Sequence, residues 1–196
     1  PYHLLDWDNP EDESRMRYSM NRWQGNTGYS LTGKAAMLAT AGDGDGALAC
    51  MKKFFAGWLR PNTLYNESGP VIETPFSAMC SLEEMYLQDW GDYIRVFHGC
   101  PSSWNDVSFK NMRARGAFLI SAEHKNGNTA SVTVSSEKGG TCRIHTGITE
   151  MMLRVTGDDG QTPQWKACGD GSLEIYMKKG ETVTVSRRLT SYKVNY

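Results

Sequence analysis

The spacing of apolar residues changes near Trp90-Gly91, from a helical period before this point to an alternating one after it. The first part therefore predicts helices, and the second part predicts β-strands. Proline residues mark two helix boundaries, because Asn9-Pro10 starts one helix and Arg60-Pro61 ends another. The predicted helices cover residues 11–23 and 29–41, a stretch from Asp43 or Asp45 to Arg60, and a stretch from Thr74 to Trp90.

After Gly91, short alternating segments are separated by turn signals such as Asn126-Gly127, which is typical of a two-residue hairpin. Regular short strands with glycine turns between them indicate an antiparallel sandwich. The strands are predicted at residues 93–97, 113–123, 129–135, 141–145, 151–156, 172–177 and 182–186. The sequence therefore predicts an α+β fold with two domains, a helical segment over residues 1–90 and a β-sandwich over residues 91–196.

The predicted helices form a thin layer, although the helices over residues 29–41 and 43–60 carry broad apolar faces. An apolar face of this width is normally covered in a folded protein. We therefore expect the helical part to pack against a further element. The β domain, a second copy of the chain or an upstream segment of a longer polypeptide would each supply one.

Glu73 precedes a helix start in which Thr74 is the predicted N-cap and Pro75 the first helical residue. The predicted apolar face of this helix comprises Phe76, Met79, Leu82, Met85 and Tyr86. The helix dipole favours an ionised Glu73, which suits a base, an anion that orients water, or a hydrogen-bond acceptor. The structural alternative is that the carboxylate only stabilises the helix end, and spacing alone favours that alternative.

Composition excludes several classes of function. The formal net charge is −1 with no basic stripe, so we expect no nucleic-acid partner, and no apolar run is long enough to cross a membrane. Five scattered cysteines and four scattered histidines form no zinc-binding pattern, so no metal and no cofactor is expected. Cys50 and Cys80 are predicted to be buried thiols on helices. The first residue is proline, from which we expect a removed leader or a longer parent, periplasmic or extracellular if it carries a leader.

The connection between the third and fourth helices concentrates polar and aromatic side chains. Carboxylates, amides and flat aromatic rings together are what a sugar site uses, for hydrogen bonds to hydroxyls and for stacking. The candidate residues are Asn62, Tyr65, Asn66, Glu67 and Glu73, with Trp58 and Trp90 at nearby helix ends. The alternative for each tryptophan is that it fills the core.

The order of five segments resembles the C-terminal end of glycoside hydrolase family 95, the α-L-fucosidase-like enzymes, and especially a bacterial branch. The resemblance covers most of residues 25–134. The segments are Thr27 to Lys34, Gly42 to Leu48, Pro61 to Tyr65, Ile72 to Ser77, and Ala117 to Ala122 with Arg113 to Gly116 before it.

The resemblance implies the end of an α/α toroid of paired helices, followed by a β-sandwich. It also implies hydrolysis of terminal fucose or related sugars with inversion, in which an acid protonates the leaving oxygen and a base activates water. The base role falls on Glu73, where the family carries aspartate; Pro75 and Ser77 replace the family's asparagine and glycine. The family's general acid lies upstream and has no counterpart here, so we expect the chain alone to be inactive.

A second hypothesis needs no catalysis. In it, the chain is a carbohydrate-binding or structural β-sandwich module with a helical extension. The first hypothesis predicts a carbohydrate substrate, and the two hypotheses differ in whether Glu73 takes part in chemistry.

Overall fold

The computed structural model describes residues 4–62, 64–67 and 72–188. These residues form two compact units. One comprises the described residues up to Gly91 together with Phe97–Trp104, and the other comprises Asp92–Val96 and the described residues from Asn105 onward. The division into domains 1–90 and 91–196 stays a prediction.

The first unit contains four helices in the described part of the chain. Three of them begin at a residue whose side chain caps the helix, because Asn9, Thr27 and Asp43 each accept a hydrogen bond from a backbone N–H of the first turn. The predicted Asn9-Pro10 start and the Asp43 cap are thus confirmed. The helices are α1 Pro10–Asn21, α2 Gly28–Thr40, α3 Gly44–Trp58 and α4 Glu73–Tyr86.

The start of α4 differs from the prediction that Thr74 is its N-cap. The helix begins at Glu73, and Ile72 occupies the cap position without a side-chain hydrogen bond. Thr74 is only 1 % exposed, and its Oγ1 donates a long hydrogen bond of 3.5 Å to Oε2 of Glu67. A tertiary partner therefore takes the hydroxyl that the cap prediction assigned to the local backbone.

The buried face of α4 also differs from the predicted one. Phe76 and Met79 are 56 % and 51 % exposed, while the buried residues are Thr74, Ala78, Ser81 and Met85. Ser81 Oγ lies 2.7 Å from the carbonyl oxygen of Thr32, so the backbones of α2 and α4 approach closely. Small side chains permit that approach, and the larger apolar residues are left outward. The helix ends at Tyr86 rather than near Trp90, and β1 Leu87–Gln88 follows.

The core of the first unit lies where α2 packs against both α3 and α4. Alanines of α2 allow the close contact, and larger side chains of the neighbours fill the remaining space. The buried cluster comprises Leu31, Ala35, Ala39, Ala47, Cys50, Met51, Phe54, Ala78 and Met85. Cys50 is buried as predicted, whereas Cys80 is exposed because it lies on the outward face of α4.

The second unit consists of strands joined by tight turns. Its bounds are β2 Ile94–Val96, β3 Val107–Ala114, β4 Phe118–Lys125, β5 Asn128–Ser136, β6 Gly140–His145, the 3-10 helix η1 Glu150–Met152, β7 Leu153–Gly157, β8 Trp165–Ala167, β9 Leu173–Met177 and β10 Thr182–Arg187.

Two sheets are formed by these strands. In one, the order within this unit is β2-β6-β9-β8, and in the other it is β3-β4-β5-β10-β7. The β2–β6 pair is parallel, with Ile94 opposite Ile144, and the other neighbouring strands in these two orders are antiparallel. The two antiparallel-rich sheets and the four helices confirm the α+β class.

The single strand predicted over residues 113–123 is wrong, because residues 115–117 form a turn between the end of β3 and the start of β4. Gly116 and Ala117 have φ values of 83° and 62°, which reverse the chain between β3 and β4. The hairpin at Asn126-Gly127 is confirmed, because these residues have φ values of 51° and 71° between β4 and β5. Short β8 carried no clear sequence signal and was not predicted.

Within the described part of the chain, no helix combines the length and the apolar character needed to cross a membrane.

Candidate functional site

The candidate site lies in the first unit, in the segment that leaves α3 and enters α4. Leu59 and Tyr65 form an isolated antiparallel bridge, and the Arg60 N–H donates to the Leu64 carbonyl at 2.6 Å. The Asn66 N–H donates to the Trp58 carbonyl at 2.7 Å. The chain thus turns back after α3 and places Tyr65 and Asn66 beside the end of that helix.

Glu67 occupies the place where two helices begin. Its Oε2 accepts from Thr74 Oγ1 in the first turn of α4. A Cβ atom at Gly28, the first residue of α2, would lie only 2.6 Å from the same oxygen. The carboxylate therefore packs on the start of α2, and a side chain at position 28 would displace it. Both helix N-termini carry partial positive charge, which stabilises an anion between them.

Tyr65 contributes a phenol hydroxyl that is buried and unpaired. Its Oη is inaccessible to solvent and has no hydrogen-bond partner among the described residues. Loss of hydration raises the pKa of this phenol, and the nearby carboxylates of Glu73 and Glu67 raise its pKa further. The phenol consequently stays neutral and keeps a proton to donate, next to two carboxylates.

Glu73 is the first residue of α4 and is exposed. Its carboxylate lies at the positive end of the helix, where an ionised group is favoured. The structure therefore brings together three of the predicted site residues, Tyr65, Glu67 and Glu73. In the connection between α3 and α4, residues 63 and 68–71 lie outside the described residues.

The remaining predicted residues have structural contacts. Asn62 Oδ1 accepts from the Leu64 N–H at 3.2 Å and shapes the turn. Trp58 is half-buried and packs against the helical core, while Asn66 is exposed. Trp90 is buried, and its Nε1 donates to Gln88 Oε1 at 2.9 Å. For both tryptophans the core-filling alternative describes the observed contacts.

Sequence reasoning missed Gly28 and Thr74, whose contacts with Glu67 are not encoded in local patterns. It also missed Glu84, which lies further along α4. Glu84 has a buried Oε2 without a partner among the described residues, and burial, followed by the charges of Asp89 and Glu83, raises its pKa to about 7.

Glu84 is the described carboxyl group best suited by its pKa to donate a proton near neutral pH. It lies eleven residues after Glu73 on the same helix, which corresponds to roughly 16 Å along the axis. An inverting pair of carboxyl groups is separated by about 6.5–9.5 Å. Glu84 and Glu73 therefore do not form a catalytic pair across one glycosidic bond. No group of three His, Cys, Asp or Glu side chains suited to a metal ion occurs in the described residues.

The described residues form four helices and two antiparallel-rich sheets, so the chain is an α+β protein. Its helical unit carries a candidate acidic site, in which Glu67 and Glu73 lie at helix starts and Tyr65 lies near them. The model of the glycoside hydrolase family 95 C-terminal domain matches residues 88–185, which is half of the chain. The chain therefore belongs to this family, as its motif order predicts. The matched segment begins after α4 and so leaves Glu73 outside it.

Among solved structures, the chain is similar to a family 39 glycoside hydrolase from the gut symbiont Bacteroides cellulosilyticus WH2. The identity is 15 %, the TM-score is 0.34, and the match covers 79 % of this chain and 30 % of the other. The chain thus spans less than a third of that protein. A search of curated proteins found no match.

Proposed function

We propose that this chain is the C-terminal part of an inverting glycoside hydrolase that acts on terminal sugars such as α-L-fucose. In this proposal the helical segment is the end of an α/α toroid and the β unit follows it. Membership of glycoside hydrolase family 95 is the observation that carries the proposal. The grouping of Tyr65, Glu67 and Glu73 supports it from the chain itself.

Glu73 has the role of the base that removes a proton from the attacking water. Its exposed position at the start of α4 leaves the carboxylate accessible to water. In this proposal Glu67 accepts from a sugar hydroxyl, and the Tyr65 hydroxyl, which has no partner among the described residues, donates to the ligand once it is bound. Asn62, Asn66 and Trp58 are the proposed substrate-binding wall, in which Asn66 offers an exposed amide.

The general acid comes from an upstream segment of the same parent polypeptide in this proposal. The exposure of Phe76 and Met79, three residues apart on α4, supports a helical neighbour on that face. Since inverting hydrolysis needs both carboxyl groups, the chain alone is expected to be inactive.

The test compares two proteins on aryl α-L-fucosides and aryl galactosides. The chain alone should release no sugar, and a polypeptide that adds the upstream toroid segment should be active. In the longer protein, Glu73→Gln should lower kcat by about 100-fold or more, because the base is lost. Glu83→Gln, an exposed glutamate on the same helix, is the matched control and should retain activity. Full activity of Glu73→Gln would remove the role of Glu73, and hydrolysis by the isolated chain would remove the requirement for an upstream acid.

A second candidate function is carbohydrate binding by the β unit without catalysis. It is favoured by the range of the family match, which covers residues 88–185 and omits the Glu73 site.

A further inference from the structure

A cleft of about 410 Å³ opens within the second unit, and none of the residues assigned above lines it. It is formed where the end of β6 meets the segment leading to β7 and the turn between β8 and β9. The lining residues are His145, Gly147, Ile148, Thr149, Glu150, Leu153, Ala167, Cys168, Gly171, Ser172 and Leu173. Its volume lies near the lower end of the range of roughly 300–1,000 Å³ that is usual for small-ligand sites.

The floor of the cleft is apolar and rigid. Ile148, Leu153 and Leu173 are all buried, and the two leucines are the first residues of β7 and β9. Such a floor favours the C–H face of a small ligand, while polar groups at the rim select its orientation.

One wall is shaped by a glycine. Gly171 has a φ of 81°, and a Cβ atom there would lie 3.3 Å from Nε2 of His145. The imidazole thus lies directly against the turn, and its ring is 6.3 Å from that of Tyr93. Any larger residue at position 171 would crowd His145 and strain the turn. The absence of a side chain therefore keeps this wall of the cleft in place.

Hydrogen-bonding groups remain at the rim. Thr149 precedes η1, and its hydroxyl makes no capping hydrogen bond to that helix. Glu150 is exposed and makes no ion pair with any described residue. The cleft lining thus includes one carboxylate acceptor, Glu150, and one hydroxyl that both donates and accepts, that of Thr149.

The charges at the cleft disfavour an anion. Its described lining contains the Glu150 carboxylate and no lysine or arginine. Two guanidinium groups contact residues of the lining, and both already donate to the protein: Arg143 to Asp170 Oδ2 at 2.6 Å and to Ser172 Oγ at 3.1 Å, and Arg188 to the Leu153 carbonyl at 2.7 Å. A neutral ligand rich in hydroxyl groups satisfies these constraints, because each hydroxyl can donate to Glu150 and accept from a neighbour.

From these features we infer that the cleft of the β unit binds a neutral sugar residue, with Glu150 and Thr149 as its hydrogen-bonding groups. The site requires no chemistry at Glu73. This inference rests on the second candidate function, carbohydrate binding by the β unit, and gives it a location. Because sugar binding and hydrolysis are measured separately, a failure of one proposal is distinguishable from a failure of the other.

The experiment follows backbone amide signals of the isotope-labelled full chain by NMR during titration with L-fucose or D-galactose. D-Galacturonate and inorganic phosphate are the charged probes. We expect shifts confined to residues 145–150, 153, 167–168 and 171–173, with a dissociation constant on the order of 1–10 mM and weaker binding of both anions. Absence of shifts at about 100 mM neutral sugar, or tighter binding of either anion, would overturn the inference.

Variants locate the site. Glu150→Gln should weaken sugar binding about tenfold, and Thr149→Val by several-fold, since each loses a hydrogen bond to the ligand. Glu123→Gln, an exposed glutamate on β4 in the same unit, is the matched control and should bind as the unmodified chain does. Both rim positions are exposed, so the fold should tolerate the substitutions, which amide spectra of the free proteins will verify. Unchanged affinity in both rim variants would contradict the assignment.

Discussion

Replacing Glu84 by glutamine tests whether a buried carboxyl group makes the stability of the helical unit depend on pH. One carboxyl oxygen of Glu84 is buried without a partner among the described residues. Burial, with repulsion from Asp89 and Glu83, raises its pKa from 4.5 to about 7. Glutamine keeps the size of the side chain and removes the charge, so the substitution isolates the electrostatic cost.

The direction in which stability changes with pH follows from the number of protons that the folded and unfolded chains bind. Between about pH 4.5 and about pH 7 the unfolded chain has lost the Glu84 proton while the folded chain retains it. Rising pH therefore lowers the stability of the folded state across this window, and the loss is complete above about pH 7. At acidic pH both states are protonated and the cost disappears. Glutamine should have little effect near pH 4.5 and should stabilise increasingly as the pH rises.

The magnitude has an upper bound of about 3 kcal/mol, which corresponds to the difference between a pKa of 4.5 and one of about 7. Glu84 is half-buried rather than fully enclosed, and solvent screening reduces the value, so we expect a gain of about 1–2 kcal/mol near pH 8.

The measurement is urea unfolding of the intact chain, followed by far-ultraviolet circular dichroism from about pH 5 to about pH 8. Glu123→Gln, an exposed glutamate on β4 whose charge is not among the causes of the raised Glu84 pKa, is the control and should follow the unmodified chain. A gain from Glu84→Gln that is equal at both ends of this range would refute the reasoning, because a raised carboxyl pKa requires the gain to grow with pH.

Three further predictions concern packing, backbone conformation and the candidate site. Phe54→Ala should lower the free energy of unfolding of the helical unit by about 3–5 kcal/mol, because its ring is buried in the core, while the exposed neighbour Phe55→Ala should change it by less than about 1 kcal/mol in the same urea titration. Gly116→Ala should destabilise the β unit by about 1–3 kcal/mol, since φ at this residue is 83° and the new Cβ would lie 2.6 Å from the buried Phe118 ring. Gly57→Ala, in helix α3, places its Cβ in open space and should not destabilise the chain. Equal losses of stability for the two variants in thermal melts would contradict this account. Tyr65→Phe should leave the melting temperature unchanged or raise it, because the buried hydroxyl has no described partner, and a clear decrease would reveal a structural role for that hydroxyl.

Helix positions were predictable where local chemistry determines them. The Asp43 side chain accepts from the Gly46 N–H at 2.8 Å, so a capping residue in the sequence marks the observed start of α3. The Asn126-Gly127 hairpin was predictable for the same reason, since both residues adopt the positive φ values that this dipeptide tolerates well. The reversal at Gly116 and Ala117 was not, because an alternating apolar pattern runs across it and an alanine seldom adopts a positive φ.

The buried face of α4 could not be read from apolar spacing, because that method ranks positions by hydrophobicity. The contact with α2 instead selects small residues, and Ser81 is buried through its bond to the Thr32 carbonyl. Phe76 and Met79 remain exposed although they carry the larger apolar side chains. Close packing of two backbones is a property of the pair of helices, and a single helical sequence does not contain it.

In the candidate site, the sequence predicted which residues lie together but not the contacts between elements that hold them. Loop composition alone grouped Tyr65, Glu67 and Glu73, and the structure places the two carboxylates close enough to raise the pKa of the tyrosine. The organising contacts come from Thr74, which the sequence assigned to a cap, and from Gly28, whose missing side chain makes room for Glu67. The favourable charge at a helix start is enough to explain the position of Glu73. No such local effect explains the buried hydroxyl of Tyr65. A buried hydroxyl without a partner among the described residues is costly for folding, so Tyr65 supports the proposed ligand-binding role of this segment more strongly than Glu73 does.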